Sequence, residues 1–165
     1  MSDFWERANR DPGNGQIMDG DTRYVLFRTD VIAAVVNQLP EEARHATLNS
    51  FTEAVKQHGG KSLARYLGMV EGDVDALLAT VEATAPALGW GVWQFERTPQ
   101  RLSLTVRNSP FVAFETADQA SSCAPILGMF TALAEMVLEQ VSAEEISCGK
   151  SDASECSFVA EKLSS

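Results

Sequence analysis

The hydrophobic period of the chain changes near residue 90, and that change limits the folds open to it. Before it, apolar residues recur at helical spacing, with Leu48, Phe51 and Val55 in one segment and Leu63, Tyr66 and Leu67 in the next. After it, "WGVWQFERT" and "RLSLTVRNS" carry Trp93, Phe95, Leu102, Leu104 and Val106 at every second position, with Pro99-Gln100 between the two runs. A period of two puts such side chains on one face of a strand pair, so the spacing predicts an antiparallel hairpin with one buried face. The helical period returns from Ser122 to about Gln140, with Ile126, Phe130, Leu133 and Val137 along one stripe. "VSAEEISC" and "ECSFVAEK" then close the chain as two short strands around a polar turn. The plan is α+β: an N-terminal helical layer packed on a small antiparallel sheet, with one long helix inserted before a C-terminal hairpin.

Local signals set the expected boundaries. Asp30 can cap a short helix over Val31 to Leu39, and Pro40, Glu41 and Glu42 start a second that runs to about Gln57, where His58-Gly59-Gly60 breaks it. "KSLARYLGM" resumes helically, and "EGDVDALLATVEATAPALG" forms a further helix ended by Pro86 and Gly89. "NSPFVAFETAD" reads as a loop or edge segment, because Pro110 lacks a donor for a strand ladder. Gly128 and Ala132 are four apart, so a second backbone can approach the long helix there. Residues 1–22, with "RDPGNGQIMDGD", read as a flexible or partly ordered arm, and 23–165 as a single domain.

Charge and cysteine usage narrow the function classes. The net charge is -10, and the thirteen Lys and Arg are scattered rather than massed, which argues against nucleic acid as a partner. The first twenty residues contain no apolar run of the secretory kind, and the longest apolar stretch, Val31 to Val36, is far below the roughly 18 residues of a membrane span. A cytoplasmic protein is expected. That compartment keeps thiols reduced, so metal binding or reactive thiols outrank disulfides for the three cysteines.

Two of those cysteines flank the turn "CGKSDASEC", and the third, Cys123, opens the long helix. With Glu145 they make three thiolates and one carboxylate, a tetrahedral set that zinc accepts; four protein ligands leave no open position, so such a site is structural. Gly149 permits a tight turn, and Asp152 and Ser154 can add polar contacts within it. Buried cysteines without a metal are the alternative. Residues three apart on a regular strand face opposite ways, so Glu145 and Cys148 converge only if the strand bends near Ser147.

Beyond the spacing, "PFVAFETADQASSCAPILGMFTALAEMVLEQVSAEEISCGKSDASECSFVAEK" resembles the signature half of the 4-vinyl reductase domain family, also described as hydrocarbon-binding domains. The matching positions are Asn108-Ser109-Pro110, Cys123 with Gly128, then Glu145, Cys148, Gly149, Cys156 and Phe158. About the last 60 residues carry the resemblance. A related domain is the sensory part of phenol- and xylene-responsive transcription activators, where three cysteines and a glutamate hold zinc beside a pocket for an aromatic effector. The resemblance thus implies Cys123, Glu145, Cys148 and Cys156 as zinc ligands. It also implies a fold similar to subunits of the eukaryotic transport protein particle, helices against an antiparallel sheet, commonly dimeric. These 165 residues contain no recognisable ATPase or DNA-binding region, so the activators' output is not expected to carry over.

Trp90, Trp93, Phe95, Phe111, Phe114 and Phe130 flank Cys123 and are candidate walls of an apolar ligand pocket, with Tyr66, His58 or His45 as polar anchors; the same aromatics serve equally as core. No glycine-rich dinucleotide fingerprint follows a strand, and neither G-x-S-x-G nor H-E-x-x-H occurs. The expectation is therefore a non-enzymatic, zinc-stabilised homodimer that binds a small hydrophobic or aromatic molecule, as a sensor or as a carrier serving a partner enzyme. An interaction scaffold resembling vesicle-tethering subunits and an accessory to a tetrapyrrole vinyl reductase are the alternatives.

Overall fold

The computed structural model describes residues 4–114, 123–149 and 155–164. Its helices among these are α1 (Phe4–Arg7), α2 (Thr29–Asn37), α3 (Glu41–Met69), α4 (Val74–Ala87) and α5 (Ala124–Leu138). Its strands are β1 (Asn9–Asp11), β2 (Gln16–Asp19), β3 (Thr22–Tyr24), β4 (Val92–Arg97), β5 (Arg101–Arg107), β6 (Val141–Ser147) and β7 (Glu155–Lys162).

The alternating segments form one antiparallel sheet in the order β4-β5-β7-β6. Trp93 stands opposite Val106 and Phe95 opposite Leu104, as the period-two pattern predicts. β7 enters between β5 and β6, with Val106 opposite Cys156 and Leu104 opposite Phe158. The face carrying Trp93, Leu104, Val106, Cys156 and Phe158 is buried, and α5 covers it with Ile126, Phe130 and Leu133, all fully buried. Burial of these apolar faces is the main source of stability for such a layered domain.

Several local expectations give way to packing. His58-Gly59-Gly60 does not break a helix: α3 runs unbroken for 29 residues. Two glycines cost a helix about 1 kcal/mol each relative to alanine, but here α5 crosses at that level. A Cβ on Gly59 would lie 2.6 Å from Met129 Cε, and one on Gly60 would touch the Ala132 Cβ at 3.7 Å. From the other side, a Cβ on Gly128 would fall 2.2 Å from the Thr52 carbonyl oxygen. The close second backbone anticipated at Gly128 and Ala132 is thus α3 of the same chain. Asp30 is not the cap of α2; Arg28 holds that position, and Asp30 sits in the first turn, ion-paired to it. Residues 110–113 form a 3-10 turn, with the Ser109 side chain accepting from the Phe111 N–H.

The segment up to residue 22, expected as a flexible or partly ordered arm, carries α1 and most of a three-stranded antiparallel meander, β1-β2-β3. Phe4 is fully buried and packs edge-on against Trp5 and Tyr24. Turn formers that read as part of that arm, Pro12 to Gly15 and Gly20-Asp21, are the loops of that meander.

Candidate functional site

Two sites emerge, one polar and one apolar, on opposite flanks of the same sheet face. The polar one gathers Cys123, Glu145, Cys148 and Cys156, whose ligand atoms all lie within 4.8 Å of one another. Cys123 reaches it from the N-cap of α5, Cys156 from the start of β7, and Glu145 and Cys148 from the end of β6. The bend that convergence requires is present. Glu145 pairs with Phe158 while Ser147 pairs with Ser157, so β6 carries one extra residue, Ile146, as a bulge. Without it, Cys148 would face the other way from Glu145; the extra residue reverses the alternation and turns Cys148 to the inner face with Cys156. Ile146 is left 56% exposed, and the Ser147 and Ser157 hydroxyls bond at 2.7 Å on the far face.

Hydrogen bonds fix the cluster. The Cys123 N–H donates to Glu145 Oε2 at 3.3 Å, the Gly149 N–H to Cys156 Sγ at 3.4 Å, and Ser109 Oγ lies 3.2 Å from Cys123 Sγ. Ser109 is buried, and Asn108 before it takes a left-handed backbone (φ 56°), a conformation asparagine tolerates better than most residues. The Asn-Ser-Pro motif therefore steers a hydroxyl onto the Cys123 sulfur. Cys123 and Cys156 sulfurs stand 3.4 Å apart. The hydrogen bond from Cys123, aided by the Gly149 N–H, draws the Cys156 thiol down to about 6, while that same bond and burial push the Cys123 thiol up. A thiolate next to further sulfur donors and a carboxylate suits a divalent cation. The fit to zinc is good in number and type: a tetrahedron with metal–sulfur bonds of about 2.3 Å has edges of roughly 3.8 Å. Asp152 and Ser154, expected to contribute polar contacts, lie outside the described residues.

The apolar site is a cavity of about 550 Å³ where α3, α4 and the start of β4 meet. α3 presents it with a stripe at helical spacing, Val55, His58, Gly59, Ser62, Leu63 and Tyr66, which exists only because the helix continues through the two glycines. α4 adds Val81, Thr84, Ala85 and Leu88 follows it. Trp90 and Trp93 form the wall on the sheet side, and Trp5 and Tyr24 the wall from the N-terminus, so all three tryptophans of the chain face one space. Trp93 and Trp5 satisfy their indole N–H groups on the Trp90 and Ala87 carbonyls, at 3.0 and 2.9 Å.

Of the six aromatics named from the sequence, Trp90 and Trp93 line this cavity, and Phe95, Phe111, Phe114 and Phe130 do not. Phe114 and Phe130 are fully buried core residues. Phe111 bridges two core clusters, edge-on to Trp90 and tilted against Phe114. Phe95 packs beside Trp93, its N–H held by Glu82. Tyr66 and His58 line the cavity, while His45 does not. Phe4, Trp5 and Tyr24 were not anticipated, and no periodic signal joins them to the rest.

No protein-family model matches the chain, and no curated protein matches it. Solved structures do. The phenol-responsive sensory domain of the transcription activator PoxR, solved with phenol, superposes with a TM-score of 0.80 at 15% identity, over 96% of this chain and 86% of that one. Trafficking protein particle complex subunit 3 from Naegleria fowleri, covalently bound to palmitic acid, gives 0.55 at 11% identity, over 82% of this chain and 95% of that one. At these identities the likeness establishes the fold alone: helices packed on an antiparallel sheet, as in both of those domains.

Proposed function

We propose that this chain is a zinc-stabilised binding domain for a small hydrophobic or aromatic molecule, working as a homodimeric sensor or as a carrier that hands its ligand to a partner enzyme. The observation that carries the reading is the cavity: about 550 Å³, within the usual range for small-molecule pockets, walled by three tryptophans and with few polar groups among apolar ones. Val81, Leu63 and Trp93 are buried residues of its lining, while Ala54 and His58 are exposed ones on its rim. Tyr66 and His58, two turns apart on α3, are the polar anchors. The likeness to a sensory domain solved with phenol supports the ligand class.

Cys123, Glu145, Cys148 and Cys156 would hold the metal, which ties α5, β6 and β7 together without an open coordination position. Nothing in this reading calls for catalysis. Among the described residues no helix is long and apolar enough to cross a membrane.

Native mass spectrometry of protein purified from its own host tests the reading. One zinc per chain, a dimer and an organic adduct are expected. A clean dimer with zinc and no adduct, even after incubation with phenols and naphthols, would overturn the ligand half in favour of a scaffold. Absence of zinc, with Cys148→Ser as stable as the parent, would overturn the metal half.

A further inference from the structure

Resting on that reading of the cavity, we infer that α1 and the β1-β2-β3 meander form its lid, latched by the Asp19–Arg65 pair, and that ligand enters and leaves by opening of this lid. Among the described residues the meander makes no strand pairing with the main sheet. It joins the rest of the chain through residues 25–28, which carry no secondary structure and expose Val25, Leu26 and Phe27 by 71%, 73% and 65%. Yet it supplies one whole wall of the cavity, with Phe4, Trp5, Ile17 and Tyr24 facing in.

Three strands of three or four residues are marginal by themselves, so the unit stays closed only through what it docks on. On α3 its ion pair is with Arg65. Arg65 on α3 gives one guanidinium N–H to the Asp19 carboxylate at 2.7 Å and another to the Asp19 carbonyl at 2.8 Å. Asp19 is buried, and Tyr66 Oη lies 3.5 Å from the same carboxylate oxygen. The β2–β3 turn is cut to fit: Gly20 has φ 59°, and a Cβ there would sit 2.6 Å from Arg65 Nη1. Arg65 also lies over the Tyr66 ring, so the latch and the cavity wall share a residue. Further polar ties from this unit to the helices include the Trp5 indole bond to Ala87, the Arg7 contact to Tyr66 and a side-chain hydrogen bond between Tyr24 and Ser62. Low-stability units of this kind open ahead of the core, and a ligand touching both walls favours the closed form by its own contacts.

The test pairs hydrogen exchange with stopped-flow binding of an apolar fluorescent probe, N-phenyl-1-naphthylamine, in the full chain. In the parent, amides of residues 9–24 exchange together ahead of α5, β5 and β7, and the probe slows them. Asp19→Asn leaves a hydrogen-bonding group but removes the charge; its loss lies between that of an exposed and a buried ion pair, so exchange in 9–24 and both probe rates rise about tenfold. Protection of α5, β5 and β7 stays as in the parent. Arg65→Lys moves the same readings the same way by less, and decides the matter if Asp19→Asn does not fold. Unchanged probe rates in the folded variants, or a loss of protection spread evenly over the chain, would overturn the lid. A parent that takes up no probe at all would instead remove the binding reading beneath it.

Discussion

Trp93 and Cys156 stand on one rung of the sheet: Trp93 faces Val106 across β4–β5, and Val106 faces Cys156 across β5–β7, so both point to the same buried face two strands apart. One lines the cavity and the other belongs to the cysteine cluster. At a strand spacing of about 4.8 Å the two sites lie roughly 10 Å apart, joined through a single close-packed valine.

Removal of the proposed zinc should therefore be visible at the cavity. Chelation, or Cys148→Ser, releases the ties among α5, β6 and β7; a loss of about 3 kcal/mol lowers Tm by about 10 °C in a chain this long. Tryptophan emission should shift red as Trp93 loosens. The matched check is zinc content beside Tm and emission, and a Cys148→Ser protein that keeps zinc and parental Tm would contradict the assignment.

The rim of the cavity offers a cleaner handle on binding. Ala54 is an exposed lining residue on α3, so Ala54→Phe should crowd the cavity at little cost to the fold, within about 0.5 kcal/mol. Probe affinity should fall about tenfold or more while Tm stays within roughly 2 °C. Titration of the fluorescent probe reads the first and calorimetry the second.

Two glycines at the α3–α5 crossing should respond with opposite sign. Gly128→Ala puts a Cβ 2.2 Å from the Thr52 carbonyl oxygen and 3.1 Å from the Lys56 nitrogen, backbone atoms that cannot step aside. Separating the helices costs about 3 kcal/mol. Gly60→Ala meets only the Ala132 Cβ at 3.7 Å, ordinary contact, and gains up to about 1 kcal/mol of helix propensity. Urea unfolding of the pair distinguishes them, and equal destabilisation would mean that the crossing is not as close as described.

Tyr24 should ionise late. Burial, with the Tyr66 and Asp19 charges adding to it, holds its phenol up to about 12 in the folded chain against an ordinary value of 10.0. A group whose folded value is raised contributes its stability fully below the unfolded value and loses it as pH climbs, here between about 10 and about 12. Absorbance at 295 nm should show a late phenolate step that Tyr24→Phe removes, and the variant's stability should fall less steeply over that pH window than the parent's.

Much of the plan was readable along the chain because it is local. Alternation gave the β4–β5 hairpin and the buried faces of Trp93, Leu104 and Val106, and helical spacing gave α4 and α5. The donor chemistry of Cys123, Glu145, Cys148 and Cys156 was also legible, together with the strand bend near Ser147 that their meeting demands, since side-chain parity on a strand is fixed by residue count alone. What only the tertiary structure decided is which faces share a space. Gly59-Gly60 looks like a break until α5 is seen to cross there, and Phe114 and Phe130 look like pocket walls until they are seen enclosed on every side. Trp5 and Tyr24 meet Trp93 across some seventy to ninety positions of chain, and such meetings arise from the packing of whole elements, whose contact energies depend on distance in space and leave no mark on sequence period.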